Sequence, residues 1–180
     1  STHAVLDLPA GSTAQVRAAL PDIDPSLRMM SRGDTLEIYK EVGLPRDVAA
    51  RFDVASMSGS HGIGHTRMAT ESAVTTMGAH PFNTGDDQCL VHNGSLSNHN
   101  SLRRRLRRDG IHIETENDTE VGAAYLTWQM QNGATLGEAL ERSLDDLDGF
   151  FTFVVGTKEP EPATVYFWSH DTPTPTEKAA

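Results

Sequence analysis

Three short runs in the middle of this chain carry polar groups where an apolar stretch gives way to a loop or helix. That is the usual place for groups that must face a ligand. GHTR ends on Arg67, LVHNG ends on Asn93 and Gly94, and ENDTEV contains Asp118. Arg67 offers a planar fork that matches a carboxylate through two parallel hydrogen bonds and stays charged at any working pH. Asn93 can donate through its side-chain NH2, and Gly94 has no Cβ to keep a ligand from its N–H. Together they have the makeup of an oxyanion hole, in which each donor contributes on the order of 3 kcal/mol to transition-state stabilisation. Asp118 precedes the apolar-periodic run Val121, Ala124, Tyr125, Trp128. It therefore falls at or near a helix N-terminus, where its charge is tolerated and can accept from an ammonium. Singly, each has an ordinary reading: a surface ion pair for Arg67, a tight turn for HNG, a helix cap for Asp118 with Thr119 and Glu120. The ordinary readings do not explain why an amino-acid clamp and an oxyanion hole occur together.

The elements that must position these groups alternate between strand and helix. Residues 3–8 read as a buried strand, and Ser12 or Thr13 caps a short helix through Leu20. Residues 35–42 (TLEIYKEV) alternate as a half-buried strand, and residues 46–52 follow as a helix. Residues 61–67 form a strand with His61, Ile63, His65 and Arg67 on one face. A polar loop over residues 68–87, anchored by His80-Pro81-Phe82, is long enough to cover a ligand. A strand over 88–92 leaves through an HNG turn, and Ser97 or Asn98 caps a helix to Arg108. After a short strand at 111–114, helices are expected over 119–131 and 136–144, with Tyr125 and Trp128 in the core. FFTFVVG and residues 164–168 supply two last strands, and residues 169–180, rich in Pro and Thr, read as a disordered tail.

Other constellations carry less. Cys89 lies three residues before His92, but that spacing in a strand puts the two side chains on opposite faces, against a Cys/His dyad. His61 and His65 lack a further ligand at metal spacing, and Asp145, Asp146 and Asp148 read as a charged turn, so no metal is expected. The arginines 103, 104, 105, 107 and 108 read as a solvated helix face before a surface for an acidic partner.

GHTRMATES, AHPF, HNGSLSN and NDTEV, in this order, resemble the class-II glutamine amidotransferase domain, a member of the N-terminal-nucleophile hydrolases, and LDGFFTFVVG resembles a later strand of that family. The runs look most like the glutamate-synthase-related subunits, such as that of N-methylglutamate synthase. The resemblance implies an α+β fold, a four-layer αββα sandwich, over residues 1–168, short of the family pattern at both ends. It implies that Arg67 holds the α-carboxylate of glutamine, Asp118 its α-ammonium, and Asn93 with Gly94 the oxyanion. Thr66 and His92 are further candidates for contact with the substrate, and no cofactor is implied. The function implied is hydrolysis of the glutamine side-chain amide, with ammonia passing to a partner synthase. In the family the nucleophile is an N-terminal cysteine, whereas this sequence opens STHAVLDL. Ser1 lacks the opening strand of the family, so the expectation is that the nucleophile lies outside this sequence. The alternative is a non-catalytic glutamine-binding or regulatory subunit.

Composition fits one domain. The 180 residues are 37% hydrophobic and 22% charged, enough to bury a core. A net charge of −10 argues against a nucleic-acid partner. A single cysteine forms no internal disulfide, and no apolar run approaches a membrane span or a signal peptide, so a cytoplasmic location is expected.

Overall fold

The computed structural model describes residues 3–67, 73–83, 85–158 and 164–171, the last stretch as backbone apart from Trp168. Its elements are α1 (Thr13–Ile23), α2 (Pro45–Arg51), a 3-10 turn (Val54–Ser56), β1 (Gln88–Leu96), α3 (His99–Arg108), α4 (Asp118–Gln131), α5 (Leu136–Asp146), β2 (Gly149–Thr157) and β3 (Thr164–Asp171).

The three strands form one antiparallel sheet in the order β1-β2-β3. Aromatic and β-branched residues fill β2, as a pleated, half-buried surface favours. Leu90 pairs with Val155, His92 with Phe153 and Gly94 with Phe151. These residues and Leu96 share one face by the two-residue period, and Leu90, Leu96, Phe151, Phe153 and Val155 are fully buried there. On the other face Asn93, Ser95 and Thr152 are exposed, and Phe150 is 57% exposed.

Helix α4 covers the buried face, and Gly122 allows the close approach: a Cβ there would lie 3.1 Å from the tip of the Phe153 ring. Asn117 caps α4 by accepting from the Thr119 N–H at 2.8 Å. Helices α3 and α5 pack on α4. A reciprocal capping box between Thr135 and Glu138 starts α5. Tyr125, fully buried, donates to Asp146 at 2.7 Å and so ties α4 to the end of α5. The arginines of α3 are not simply a solvated face. Arg103 is 3% exposed and pairs with Glu116 at 2.9 Å, Arg105 lies over the Trp128 ring at 4.7 Å, and Arg107 donates to the Ile113 carbonyl.

Four expected strands, residues 3–8, 35–42, 61–67 and 111–114, are extended or irregular without ladder partners among the described residues. A strand needs a neighbour to accept and donate along its edge, and alternation in the sequence does not supply one. In residues 35–42 and 61–67 the alternation survives as burial: Ile38 and Lys40 are buried, and Ile63, His65 and Arg67 are more buried than the residues between them, whereas residues 4–8, expected in a buried strand, are exposed. Segment 34–36 is held instead by the Asp87 carboxylate, which accepts from the N–H groups of Asp34, Thr35 and Leu36 at 2.8 to 2.9 Å. Burial raises the Asp87 pKa, but these donors outweigh it and hold the carboxyl below its ordinary range. HNG is not an exit turn. β1 runs straight through it to Leu96, because Gly94 takes a φ of +134° that keeps the ladder in register. β3 continues through Asp171; residues 172–180 of the expected tail, and residues 68–72 and 84 of the expected loop, lie outside the described residues.

Candidate functional site

The open edge of β1 organises the candidate groups. Leu90 exchanges both backbone bonds with Phe82 at 2.9 Å, so its N–H and C=O point away from β2. In an antiparallel ladder, residues two apart point the same way. The His92 N–H accordingly reaches His80 Nδ1 at 3.5 Å, and the Leu96 N–H reaches Asp118 Oδ2 at 3.0 Å. By the same two-residue period and the ladder register, the Gly94 N–H falls between them on that edge, with the exposed Asn93 next to it. A Cβ at 94 would run into the Phe150 carbonyl oxygen, so the strand itself demands glycine there.

Asp118 occupies the first turn of α4, beside the dipole end that favours an anion. Its tie to Leu96 fixes that helix end against β1, two residues from Gly94. Arg67, half-buried, approaches through Gly78: a Cβ built on Gly78 would lie 3.5 Å from Arg67 Nη1. The Gly78 carbonyl in turn accepts from Asn117 Nδ2 at 3.3 Å, one residue before Asp118. Contacts thus link the Arg67, Asp118 and Asn93-Gly94 regions in one neighbourhood. Thr66 is exposed, on the alternate side of its extended segment from Arg67, and lines an open cleft of about 1700 Å³ with Arg67, His65 and His80. That volume exceeds the roughly 300–1,000 Å³ of a small-molecule pocket, so the cleft is a groove and not a closed amino-acid site.

Behind the edge lies a group of buried histidines. His92 is 4% exposed, under α4 and edge-on to Phe153. Its Nδ1 is 3.0 Å from the Thr119 hydroxyl, which is itself 3.0 Å from His80 Nε2. His65 stacks on His80 at 4.2 Å. Burial pushes all three imidazoles down. For His80 the neighbouring His65, His92, Arg67 and Lys40 add to it, bringing its pKa to about 3. Neighbouring Asp118 pulls the His92 pKa up, without overcoming burial. These rings are neutral at physiological pH. Sequence reasoning passed over His80 and Thr119 as sites, reading one as a loop anchor and the other as part of a cap. Nothing in their spacing joins residues 39 apart, and the link exists only in the fold.

Cys89 is buried, and burial pushes its thiol up, away from the thiolate that a nucleophile requires. It faces Ile63 across Gly156, on the opposite side of β1 from His92, as strand alternation requires. Among the described residues no group of three or more His, Cys, Asp or Glu is arranged to hold a metal ion, and no helix is long and apolar enough to cross a membrane.

Comparison with known proteins bears on this arrangement. Residues 65–167, more than half of the chain, match a family described as a glutamine amidotransferase domain. A glutamine amidotransferase-like protein, GlxB, of Rhizobium meliloti is 58% identical over 215 aligned positions, covering 94% of this chain and 71% of that protein. A putative glutamine amidotransferase of Methanothermobacter thermautotrophicus is 39% identical, over 82% of this chain and 50% of that protein. The glutamine–fructose-6-phosphate aminotransferase of Aliivibrio fischeri is 37% identical over 68% of this chain, which spans only 20% of it. Among solved structures, glutamine phosphoribosylpyrophosphate amidotransferase from B. subtilis superposes with a TM-score of 0.57 at 28% identity, over 71% of this chain and 28% of that one.

Proposed function

Because this chain belongs to the glutamine amidotransferase domain family, we propose that residues 1–168 bind L-glutamine and stabilise the hydrolysis of its side-chain amide, with ammonia passing to a synthase partner. The observation that carries this is the β1 edge, where the Gly94 amide lies between two amides tied to His80 and Asp118. Glutamine presents a carboxylate and an ammonium at one end and an amide carbonyl at the other. Arg67 matches the carboxylate through its fork. Asp118 uses Oδ2 on the strand and has Oδ1 for the ammonium. The Gly94 N–H and the Asn93 side chain donate to the carbonyl oxygen as it gains charge on attack. Thr66 and His92 are not needed to touch the substrate in this reading.

Holding both ends is a positioning device, since a bound amide kept near its attacker no longer carries the entropy cost of encounter. The attacking thiolate is assigned to no described residue, for Cys89 is buried and its pKa is raised. Neither metal nor organic cofactor enters the hydrolytic half-reaction, and the protein acts in the cytoplasm. The test is release of ammonia and glutamate from glutamine by this chain, alone and joined to an N-terminal segment that begins with cysteine. Activity only in the joined protein is the expected result. Activity of the chain alone would return the nucleophile to Ser1 or Cys89. Binding without activity in either form would favour a regulatory glutamine sensor.

A further inference from the structure

Thr119 is the hinge of the buried polar chain. Its hydroxyl has one proton to give and lies between two imidazole nitrogens, His80 Nε2 and His92 Nδ1, each 3.0 Å away. The direction of the chain follows from its far end. His80 Nδ1 accepts from the His92 backbone N–H and so carries no proton, and a neutral ring must then carry its proton on Nε2. His80 Nε2 therefore donates to Thr119, and the Thr119 proton turns to His92 Nδ1. The 3.5 Å contact at His80 Nδ1 thus sets His92 as the Nε2–H tautomer, with its Nε2 buried and without a hydrogen-bond partner among the described residues.

The consequence falls on Asp118. His92 Nδ1 is 3.8 Å from Asp118 Oδ1. Protonated, that nitrogen would pair with the carboxylate; as an acceptor it leaves Oδ1 to a ligand. We propose that Thr119 is a positioning residue that fixes His92 with Nδ1 unprotonated, and so keeps Asp118 Oδ1 available for the ammonium of the bound amino acid. This rests on the glutamine-binding reading above for its ligand, while the tautomer itself does not depend on it. The Thr119 backbone N–H is held separately by Asn117 at 2.8 Å, so loss of the hydroxyl leaves the helix cap in place.

The test combines imidazole nitrogen NMR of the free chain, which reads the tautomer of each histidine, with calorimetric titration of L-glutamine, on the wild type, Thr119→Val and Thr119→Ser. In the wild type, His92 is expected as Nε2–H at neutral pH. Thr119→Val should move its proton to Nδ1 and weaken glutamine binding by about tenfold or more, as for loss of one charge-assisted contact. Thr119→Ser, which restores the hydroxyl, should return both readouts toward wild type. A wild-type His92 protonated on Nδ1, or a Thr119→Val variant with an unchanged tautomer, overturns the proposal; so does unchanged glutamine affinity in that variant. If the wild type shows the expected tautomer and binds no glutamine, the functional reading fails while the assignment of the hydroxyl stands.

Discussion

Gly94 answers to two demands at one residue. The ladder needs a positive φ and an empty position beside the Phe150 carbonyl, and the same amide faces the open edge of β1. Gly94→Ala should therefore cost about 2–4 kcal/mol in stability, from backbone strain and a steric clash. Urea unfolding would read it, and a change within a few tenths of a kcal/mol would show that the strand relaxes easily. The sequence singled out Arg67, Asn93, Gly94 and Asp118 as candidates because each residue type carries its chemistry in its name. It did not reveal that His80, Thr119 and His92 form one hydrogen-bonded chain, since no local pattern reports a contact between residues 39 or 27 apart.

Helices were easier to read than strands at the scale of elements, and the reason is physical. A helix satisfies its own backbone, so the capped, periodic run that became α4 needed only its sequence. A strand's partner lies elsewhere in the chain, and residues 35–42 alternate without joining the sheet among the described residues. What holds the start of that region is Asp87, a residue with no marked signal in sequence. Asp87→Ala should remove the acceptor for three backbone N–H groups and destabilise the segment by about 3 kcal/mol. Hydrogen exchange should speed up at residues 34–36 before it does so in β1 or α4. Uniform protection across those residues in the variant would mean that other contacts hold the segment.

The whole molecule has an α+β fold of the N-terminal-nucleophile hydrolase type shared with glutamine amidotransferases, of which the described residues supply one sheet and the helical layer on its buried face. Its histidines make stability depend on pH with a definite sign. An unfolded histidine binds its proton with a pKa of about 6.5, whereas folded His80 has a pKa of about 3. Between those values the unfolded state binds more protons, so stability is full above about 6.5 and declines as the pH falls toward 3. His65 and His92, also lowered, contribute in the same direction. Denaturation midpoints across that window should fall with acid, with a shallower slope in His80→Asn. A flat profile in the wild type would indicate that the imidazoles are solvated.

The central claim is that one chain holds an amino acid between Arg67 and Asp118 with its amide carbonyl at the β1 edge, and the most direct measurement is calorimetric titration of L-glutamine into the wild type and Arg67→Lys. The account predicts saturable binding to the wild type and at least about tenfold weaker binding to Arg67→Lys, because an ammonium cannot reproduce the two-pronged contact of a guanidinium. Equal affinity in the two proteins, or no binding to the folded wild type, would contradict it.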